Sequence, residues 1–464
     1  MNLAKLSPAL LLAGCAIPHT QPAVAPVAPS SLGLAAEAAP TIGERWWAGF
    51  ADPQLDRIVD EATAGNPTLA AALARIAQAQ AVLSSRRADN GPDVALDANE
   101  QYARLSGRYT IPPPYAGTTR FVGQGLVNLN WNLDLFGRQK AAIEGARAST
   151  RAAALDLAAA RLAIAGSVVQ TYIDLARAEN EAALARQSIA TRENSLRLTN
   201  IQIRNKLASN LQAAAAQTLL AQAQGELVRA TGARAIAANA LAALAGRGTD
   251  YAAALAPTAM RLDAALPLPA QVPADLLARR PDIAAAQARI DAAVAGRRVA
   301  RQAFYPNINL AAMGGFQALG IGNLFSLDAG TVGAGPAIHL PLFDNGRLKA
   351  DYAGATAALD LATADYNDRV IGAVREAADA IAQVSNLAAQ RDRNAAVVRG
   401  FAETNRLNAI RISSGLESRL DVVDNDIRLL DAQLAQTNLA ADAARQRVAL
   451  VLALGGGFTP QEPR

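Results

Sequence analysis

The stretch Val127-Asn128-Leu129-Asn130-Trp131-Asn132-Leu133-Asp134-Leu135 alternates apolar and polar residues with a strict period of two. Such alternation predicts a β-strand with one apolar face and one polar face. Beyond it, apolar residues recur at helical spacing, and no proline occurs between Pro114 and Pro257. Since proline breaks a helix interior, this run permits one helix from about Arg138 to Lys206. At ~68 residues that helix would be ~100 Å long, which exceeds a compact domain and indicates a coiled coil or a tall tube.

The same arrangement occurs twice in the chain. Four pairs of similar segments follow one another in order, with offsets of 214 residues at the start and 209 at the end. The pairs are 66–76 with 280–290, 92–96 with 306–310, 135–140 with 342–349, and 201–211 with 410–420. Colinear matches of this kind indicate a tandem duplication of a unit of roughly 210 residues. Each unit has the order helix, two strands, very long helix, turn and long helix.

The first fifteen residues have the pattern of a secretory signal. Lys5 supplies the positive charge, and a short apolar core ends on Leu12-Ala13-Gly14-Cys15. These four residues resemble a bacterial lipobox, which would make Cys15 the lipidated N-terminus of the mature chain. An ordinary secretory signal is the alternative. The prolines between residues 16 and 40 predict a flexible tether after the anchor.

These observations divide the chain into regions. The regions are a signal peptide at 1–14, a lipidated N-terminus and flexible tether at 15–40, a first repeat at 41–246, a linker at 247–280, a second repeat at 281–455, and a C-terminal tail at 456–464. The predicted strands cover about 92–105, 120–136, 306–318 and 330–343, and the predicted long helices cover about 137–245 and 346–454.

The number of strands requires the chain to assemble if they lie in a membrane. Segments of roughly ten alternating residues suit a membrane barrel with a wet lumen, although alternation alone also fits a half-buried strand of a soluble sheet. Four strands cannot close a barrel, and an open edge in lipid leaves backbone groups unpaired at several kcal/mol each. Two copies would supply eight strands and three would supply twelve, and a wide duct favours three. The predicted fold class is mainly α with a membrane β portion.

Composition excludes several functional classes. The 464 residues are 51% hydrophobic but only 4% aromatic, which favours long helices with thin alanine seams. The net charge of +4 is spread evenly, so no nucleic-acid partner is predicted. One cysteine and two histidines offer little material for a metal centre or a nucleophilic catalytic site, so we predict no enzyme, catalytic residue, metal or cofactor. No transmembrane helix is expected after the N-terminus.

Six motifs carry a family resemblance. They are Trp46-Trp47, Asp52-Pro53-Gln54-Leu55-Asp56, Trp131 to Arg138, Leu276-Leu277-Ala278-Arg279-Arg280-Pro281-Asp282-Ile283, Pro341 to Arg347, and Leu454-Gly455-Gly456-Gly457. The block at 279–283 is highly specific, and the matches extend from about residue 44 to residue 457. Together they resemble the NodT/TolC-type outer-membrane efflux lipoproteins.

This resemblance implies a homotrimer in the outer membrane of a Gram-negative bacterium. The strands of three chains would form one 12-stranded trimeric β-barrel, continuous with a long periplasmic α-helical barrel. Residues 41–60, 247–280 and the tail would form an equatorial collar. The duct would be passive and would serve a tripartite efflux pump. Its partners would be a periplasmic adaptor, an inner-membrane resistance-nodulation-division transporter and outer-membrane lipid.

The resemblance also implies an entrance gate at the periplasmic helix turns, near Lys206 and Gly415. Asp421 and Asp424 are spaced i, i+3 on one helix face, and the family carries aspartates that ring the closed entrance here. The alternative is that two acids in a first helical turn complement the helix dipole.

Arg411, Arg419 and Glu417, close to the turn, are the candidate partners in this gate. Arg411 and Arg419 are candidate partners, or simply solvated arginines near helix ends. Glu417 stands where some relatives place a basic residue. The equivalent turn of the first repeat carries no acid.

Two other functions fit part of the pattern. An outer-membrane duct of an ATP-driven protein secretion system would share the strands and helices, but the lipobox and the block at 279–283 favour efflux. A structural coiled-coil lipoprotein would explain the helices but not the strand pair in each repeat. The substrate is not encoded in a readable way, because three methionines give no soft-metal ladder.

Overall fold

The computed structural model describes residues 20–34, 42–108, 111–263, 269, 271–273, 275–414, 416 and 419–459. The side chains of residues 29, 276, 277 and 419–422 are not part of that description. The predicted signal peptide, Cys15, Gly415, Glu417 and the end of the tail therefore lie outside the described residues.

The chain is mainly helical and contains four strands among its described residues. In order, the elements are α1 Pro53–Gly65, α2 Pro67–Ala88, β1 Asp93–Arg104, β2 Thr119–Asn132, α3 Arg138–Arg204, α4 Asn210–Leu244, α5 Thr249–Ala253, α6 Leu276–Arg279, α7 Pro281–Gln302, β3 Asn307–Leu319, β4 Gly330–His339, α8 Arg347–Ser413 and α9 Arg419–Ala453. Short 3-10 turns occupy Pro29–Ser31, Trp46–Phe50, Ile321–Asn323 and Leu327–Ala329.

Helix lengths confirm the duplication. The helices α2 and α7 each have 22 residues, α3 and α8 each have 67, and α4 and α9 each have 35. The element order of the first repeat is thus reproduced in the second. Equal lengths follow from equal spacing of the helix-ending signals in the two halves of the sequence.

Two strands end earlier than the alternating pattern predicts. β2 ends at Asn132 rather than near residue 136, and β4 ends at His339 rather than near residue 343. The carboxylate of Asp134 accepts hydrogen bonds from the backbone N–H groups of Gln139 and Lys140, both at 2.8 Å. Asp344 likewise accepts the N–H of Leu348 at 2.8 Å. These residues cap the following helices, so the chain leaves the sheet before the apolar alternation ends.

The four strands form one antiparallel sheet in the order β1-β2-β3-β4. The central pairing, β2 with β3, joins the two repeats. Directly paired residues share a face, so the register collects most of the large apolar residues of the four strands on one side. That face carries Val94, Leu96, Val127, Leu129, Trp131, Ile308, Leu310, Val332 and Ile338. The opposite face carries Asp97, Asn99, Gln101, Gln124, Asn128, Asn130, Asn309, Gln317 and Thr331.

The chain divides into two compact units. The first consists of Met1–Pro26 (described from residue 20), Arg75–Ala153 and Ala285–Tyr366, and it contains the sheet. The second consists of Val27–Ala74, Ala154–Ala284 and Asn367–Arg464 (described to residue 459). Alanine supplies much of the core of the second unit, where Ala377 and Ala380 pack with Leu450 and Leu454. Small side chains allow close helix packing, as the composition predicts.

In each repeat, a glycine ends the second helix of the long hairpin, which is α4 in the first repeat and α9 in the second. Gly246 follows α4 with φ +69°, and Gly455 follows α9 with φ +90°. The N–H of Gly246 bonds to the carbonyl of Ala243, and that of Arg247 to the carbonyl of Ala242, which is a Schellman cap. Gly455 and Gly456 make the equivalent bonds at the end of α9.

These glycines also permit a close backbone approach. A Cβ on Gly246 would lie 2.6 Å from the carbonyl oxygen of Gly65, and a Cβ on Gly455 would overlap the carbonyl oxygen of Arg279. Only glycine fits such a position, because the contact leaves no room for a Cβ and the left-handed φ disfavours one.

A polar side chain before a proline completes each closure. In the first repeat Asn66 donates from Nδ2 to the carbonyl of Leu244 at 2.9 Å. In the second repeat Arg280 donates to the carbonyl of Ala453 at 3.2 Å, and also binds both oxygens of Asp282 and one of Glu376. The Arg-Arg-Pro-Asp-Ile block therefore fastens the start of α7 to the end of α9.

A buried carboxylate holds the linker that follows α5. Asp52 is 4% exposed, and it accepts hydrogen bonds from the Tyr172 hydroxyl at 2.7 Å and from the N–H of Ala259 at 2.8 Å. Gln54 binds the N–H and the carbonyl of Ala256, both at 3.0 Å. Burial and the hydrogen bond to Asp52 raise the pKa of Tyr172, which therefore stays protonated. The Asp52-Pro53-Gln54 motif is thus a structural clamp.

The N-terminal segment differs from the expected flexible tether. The backbone N–H groups of Ala23 and Val24 donate to Asp360, and that of Val27 donates to Asn367 at 2.8 Å. Polar side chains of α8 therefore bind residues that the proline content alone assigned to a free linker.

One described helix, α3, contains an 18-residue window that is apolar enough to cross a membrane by composition. The sequence pattern alone predicts no such helix. Of that window 39% is buried inside the protein.

Candidate functional site at the helix turns

The turn between α3 and α4 is built by local capping. Lys206 adopts φ +59°, the left-handed conformation that ends many helices. Its N–H bonds to the carbonyl of Ile203, and the N–H of Leu207 bonds to that of Gln202. Gln212 then accepts the N–H of Ser209 at 2.8 Å, which fixes the start of α4. The predicted turn residue Lys206 therefore lies at the turn itself.

The turn between α8 and α9 repeats part of this geometry. The N–H of Leu416 bonds to the carbonyl of Arg411 at 2.9 Å, as Leu207 bonds to Gln202 in the first repeat. Gly415 and Glu417 lie outside the described residues, as do the side chains of Arg419 and Asp421. The backbone nevertheless begins α9 at Arg419, so Asp421 and Asp424 both belong to its first turns.

Asp424 is an exposed acid with a partner that the sequence analysis missed. Its carboxylate lies 2.9 Å from Arg428, one turn further along α9, and the two side chains are 72% and 62% exposed. The i, i+4 spacing in the sequence is the signal that would have found this pair. Exposed pairs of this kind contribute little, so Arg428 leaves the charge of Asp424 available to an approaching ion or subunit.

Polar contacts between α8 and α9 lie close to this turn. Asn405 donates from Nδ2 to Asp426 at 2.8 Å, and its Oδ1 accepts a hydrogen bond from Asn425. Asn425 also donates to the carbonyl of Phe401 at 3.2 Å. The first repeat carries Leu196, Ala216 and Gln217 at the equivalent positions. The second hairpin is therefore joined by amides and a carboxylate where the first has mostly apolar residues.

Asp426 gives a testable pH dependence. Burial raises the pKa of its carboxyl, although the hydrogen bond from Asn405 opposes that shift. A raised folded-state pKa means that the charged form is penalised, so stability falls as pH rises from the ordinary pKa of the carboxyl to its folded-state pKa and stays at that lower level at higher pH. We expect Asp426→Asn to be more stable than the wild type at neutral pH and equal to it near pH 4, because the amide oxygen still accepts from Asn405. Thermal unfolding followed by circular dichroism measures both values.

Glu403→Gln is the matched control for this prediction. The hydrogen bond from Arg406 lowers the pKa of Glu403, so its substitution should slightly reduce stability at neutral pH, the opposite sign. An Asp426→Asn protein that is less stable than wild type at neutral pH would contradict the assignment.

An open groove lies between α3 and α4. It has a volume of about 310 Å³ and is lined by Glu193, Leu196, Arg197, Asn200, Arg204 and Leu220. No group of three or more metal-binding side chains occurs among the residues that the structure describes. The site thus offers charged and apolar contact surfaces at helix turns.

Three features of the described chain together define a class of protein. They are a sheet with one apolar and one polar face, two outer strand edges without a partner, and four long helices in two hairpins. That class is the outer-membrane channel whose subunits each contribute part of a barrel. The model of the outer membrane efflux protein family matches residues 58–247 and 272–456, one match for each repeat. The chain belongs to this family, and it is an outer-membrane efflux channel protein with a large periplasmic helical region.

Comparison with individual proteins agrees. The chain is 33% identical over 370 residues to the fusaric acid resistance protein FusA of Burkholderia cepacia, covering 77% of this chain and 69% of that protein. It is 29% identical over 467 residues to the multidrug resistance outer membrane protein MdtQ of Escherichia coli O157:H7, covering 97% and 96%. The crystal structure of VceC from Vibrio cholerae superposes with a TM-score of 0.83 at 30% identity, covering 90% of this chain and all of that one.

These findings confirm the predicted family and fold class. The chain has the tandem-repeat barrel fold of the trimeric outer-membrane channels. Members of the family are channel proteins rather than enzymes. The gate residues and the region boundaries stay predictions.

Proposed function

We propose that three copies of this chain form one passive exit duct of a tripartite efflux pump. The sheet carries this proposal, because among the described residues the outer edges of β1 and β4 have no partner strand while one face is apolar. In lipid each unpaired backbone group costs several kcal/mol, so β4 of one copy pairs with β1 of the next until the barrel closes. Three sheets of four strands give the wide lumen that a duct needs.

The cargo consists of drugs or other small toxic compounds. The printed names of FusA and MdtQ refer to fusaric acid resistance and multidrug resistance, which supports small molecules over the secreted proteins of the alternative function. A cell that lacks its own exit duct tests this choice. Expression of this chain with its adaptor and transporter should restore drug tolerance, and restoration of protein secretion without drug tolerance would favour the alternative.

The partners are a periplasmic adaptor and an inner-membrane resistance-nodulation-division transporter. The groove between α3 and α4 supports adaptor binding, since Glu193, Arg197 and Arg204 present both charges beside the apolar Leu196 and Leu220. Mixed charge around an apolar centre is typical of a transient protein interface. Outer-membrane lipid contacts the apolar sheet face, and acylated Cys15 anchors each copy.

Asp421 and Asp424 form the entrance gate in this proposal. Three chains would bring six carboxylates around the axis, and such a ring favours cations. We expect the variant that combines Asp421→Ala with Asp424→Ala to have a higher single-channel conductance in planar bilayers and a weaker preference for cations. The reason is that the bonds that close the entrance and the anionic ring are lost together.

Glu403→Gln is a matched control for the gate, because it removes another exposed carboxylate near the same turn. Its conductance and ion preference should equal those of the wild type. An electrically silent wild-type trimer, or a double variant with wild-type conductance, would count against the gate.

A further inference from the structure

The N-terminal strap, defined here as residues 20–24, is held by two side chains of the second repeat. Oδ1 of Asp360 on α8 accepts hydrogen bonds from the backbone N–H groups of Ala23 at 2.8 Å and Val24 at 3.0 Å. Arg297 on α7 donates to the backbone carbonyl of Thr20 at 2.6 Å. Asp360 and Arg297 therefore bind two N–H donors and one carbonyl acceptor of the strap backbone.

The side chain of Arg297 is also held by residues outside the strap. Its Nε donates to the hydroxyl of Thr356 at 3.1 Å, and its guanidinium lies 5.0 Å from the ring centre of Tyr352. Thr356 is 2% exposed, so this support is rigid. A guanidinium held by a stacked ring and a hydrogen bond loses little further entropy when it binds a carbonyl.

The composition of the strap suits such binding. Pro22 and Pro26 restrict the backbone and carry no N–H, whereas the two N–H groups that Asp360 uses belong to the residues between them. Proline-rich segments are already extended in the unbound state, so binding one costs less entropy than binding a glycine-rich segment.

Only the second repeat contains this docking site. When α3 and α8 are aligned from their first residues, Arg151 occupies the position of Asp360 and Arg147 that of Thr356. Aligning α2 with α7 places Leu83 at the position of Arg297. An arginine cannot accept an N–H hydrogen bond, so the first repeat cannot bind the strap in this way.

We propose that Asp360 and Arg297 form an intramolecular docking site whose role is to set where the lipid anchor enters the bilayer. This inference rests on the proposed acylation of Cys15. Cys15 precedes Thr20 by only a few residues, so a docked strap confines the anchor to within ~18 Å of Thr20 even when fully extended. If the strap is released, the next contact is Val27 with Asn367, which leaves the anchor a reach of ~42 Å.

Hydrogen exchange measured by mass spectrometry on the purified full chain tests docking. In the wild type, the amides of Ala23 and Val24 should exchange at least about tenfold more slowly than in an unstructured peptide. Asp360→Ala should remove that protection, and Asp360→Asn, which keeps an acceptor, should retain part of it. Asp365→Ala removes a neighbouring exposed carboxylate of α8 and should leave exchange unchanged. Equal exchange in the wild type and Asp360→Ala would overturn the docking site.

A spin label tests the positioning role. Gln21→Cys provides a thiol within the strap, and acylated Cys15 cannot react with the label. In nanodiscs the label should be immobilised at one depth in the wild-type background and mobile over several depths with Asp360→Ala. If Asp360→Ala loses its exchange protection but the depth distribution of the label stays unchanged, the docking site does not position the lipid anchor. The mass of the N-terminal peptide reports acylation separately, so an unmodified Cys15 refutes the anchor while exchange still judges the docking site.

Discussion

Replacing Gly455 with alanine is expected to lower the free energy of unfolding by about 3 kcal/mol or more and to remove most assembled protein from the outer membrane. The added Cβ would overlap the carbonyl oxygen of Arg279, which is backbone and cannot rotate away. It would also force an alanine to adopt φ +90°. Thermal unfolding of the purified protein, together with the amount of assembled protein recovered from outer membranes, measures both effects.

Substitutions of two other glycines serve as comparisons for this prediction. Gly246→Ala should be less harmful than Gly455→Ala, because its Cβ would lie 2.6 Å from the carbonyl oxygen of Gly65 and its φ is +69°. Gly225 lies inside α4 with nothing within 4 Å of an added Cβ, so Gly225→Ala should be neutral or stabilise the protein by about 0.5 to 1 kcal/mol. If Gly455→Ala and Gly225→Ala had the same melting temperature, the close approach of residue 455 to Arg279 would not restrict the fold.

Arg280→Ala should cost about 2 to 4 kcal/mol of stability. The side chain of Arg280 is 12% exposed, and its removal leaves Asp282 and the carbonyl of Ala453 without their partner. Arg280→Lys should not restore stability, because an ammonium group cannot bind both oxygens of Asp282 and still reach Glu376. Arg298→Ala is the control: its ion pair with Glu144 is half exposed and should be worth less than about 1 kcal/mol.

The stability lost in Arg280→Ala should also depend on pH. Burial opposes ionisation of Asp282, but the hydrogen bonds and charge of Arg280 outweigh it and hold the pKa of that carboxyl below its ordinary value of 3.8. A lowered folded-state pKa stabilises the fold above the ordinary value, and the contribution disappears as pH falls through the folded-state pKa. The difference between wild type and Arg280→Ala should therefore be largest above about pH 4 and shrink in stronger acid. An equal difference at neutral and strongly acid pH would contradict this role for the ion pair.

Local patterns predicted much of the architecture. The proline-free runs and the period-two alternation placed the long helices and the strands within a few residues, because both signals depend on neighbours in the chain. The exceptions are instructive. The ends of β2 and β4 were missed, since Asp134 and Asp344 begin the next helices while the apolar alternation still continues.

The motifs of the family resemblance located important residues without revealing their contacts. Asp52, Arg280 and Gly455 all belong to quoted motifs, yet each binds a residue far away in the sequence. Asp424 was proposed for the gate by resemblance, while its partner Arg428 was overlooked although the i, i+4 spacing alone would have shown it.

The sequence alone was sufficient for the duplication, the helix lengths, the alternating strands and the family, because periodicity, proline and glycine act over a few residues. Tertiary structure decided the rest. The strand register gathers one apolar face from both repeats, and Gly455 lies against the carbonyl of Arg279. Asp360 binds a segment that the sequence predicts to be a flexible tether. Such contacts join residues tens to hundreds of positions apart, and their choice depends on packing and backbone hydrogen bonds that no local pattern encodes.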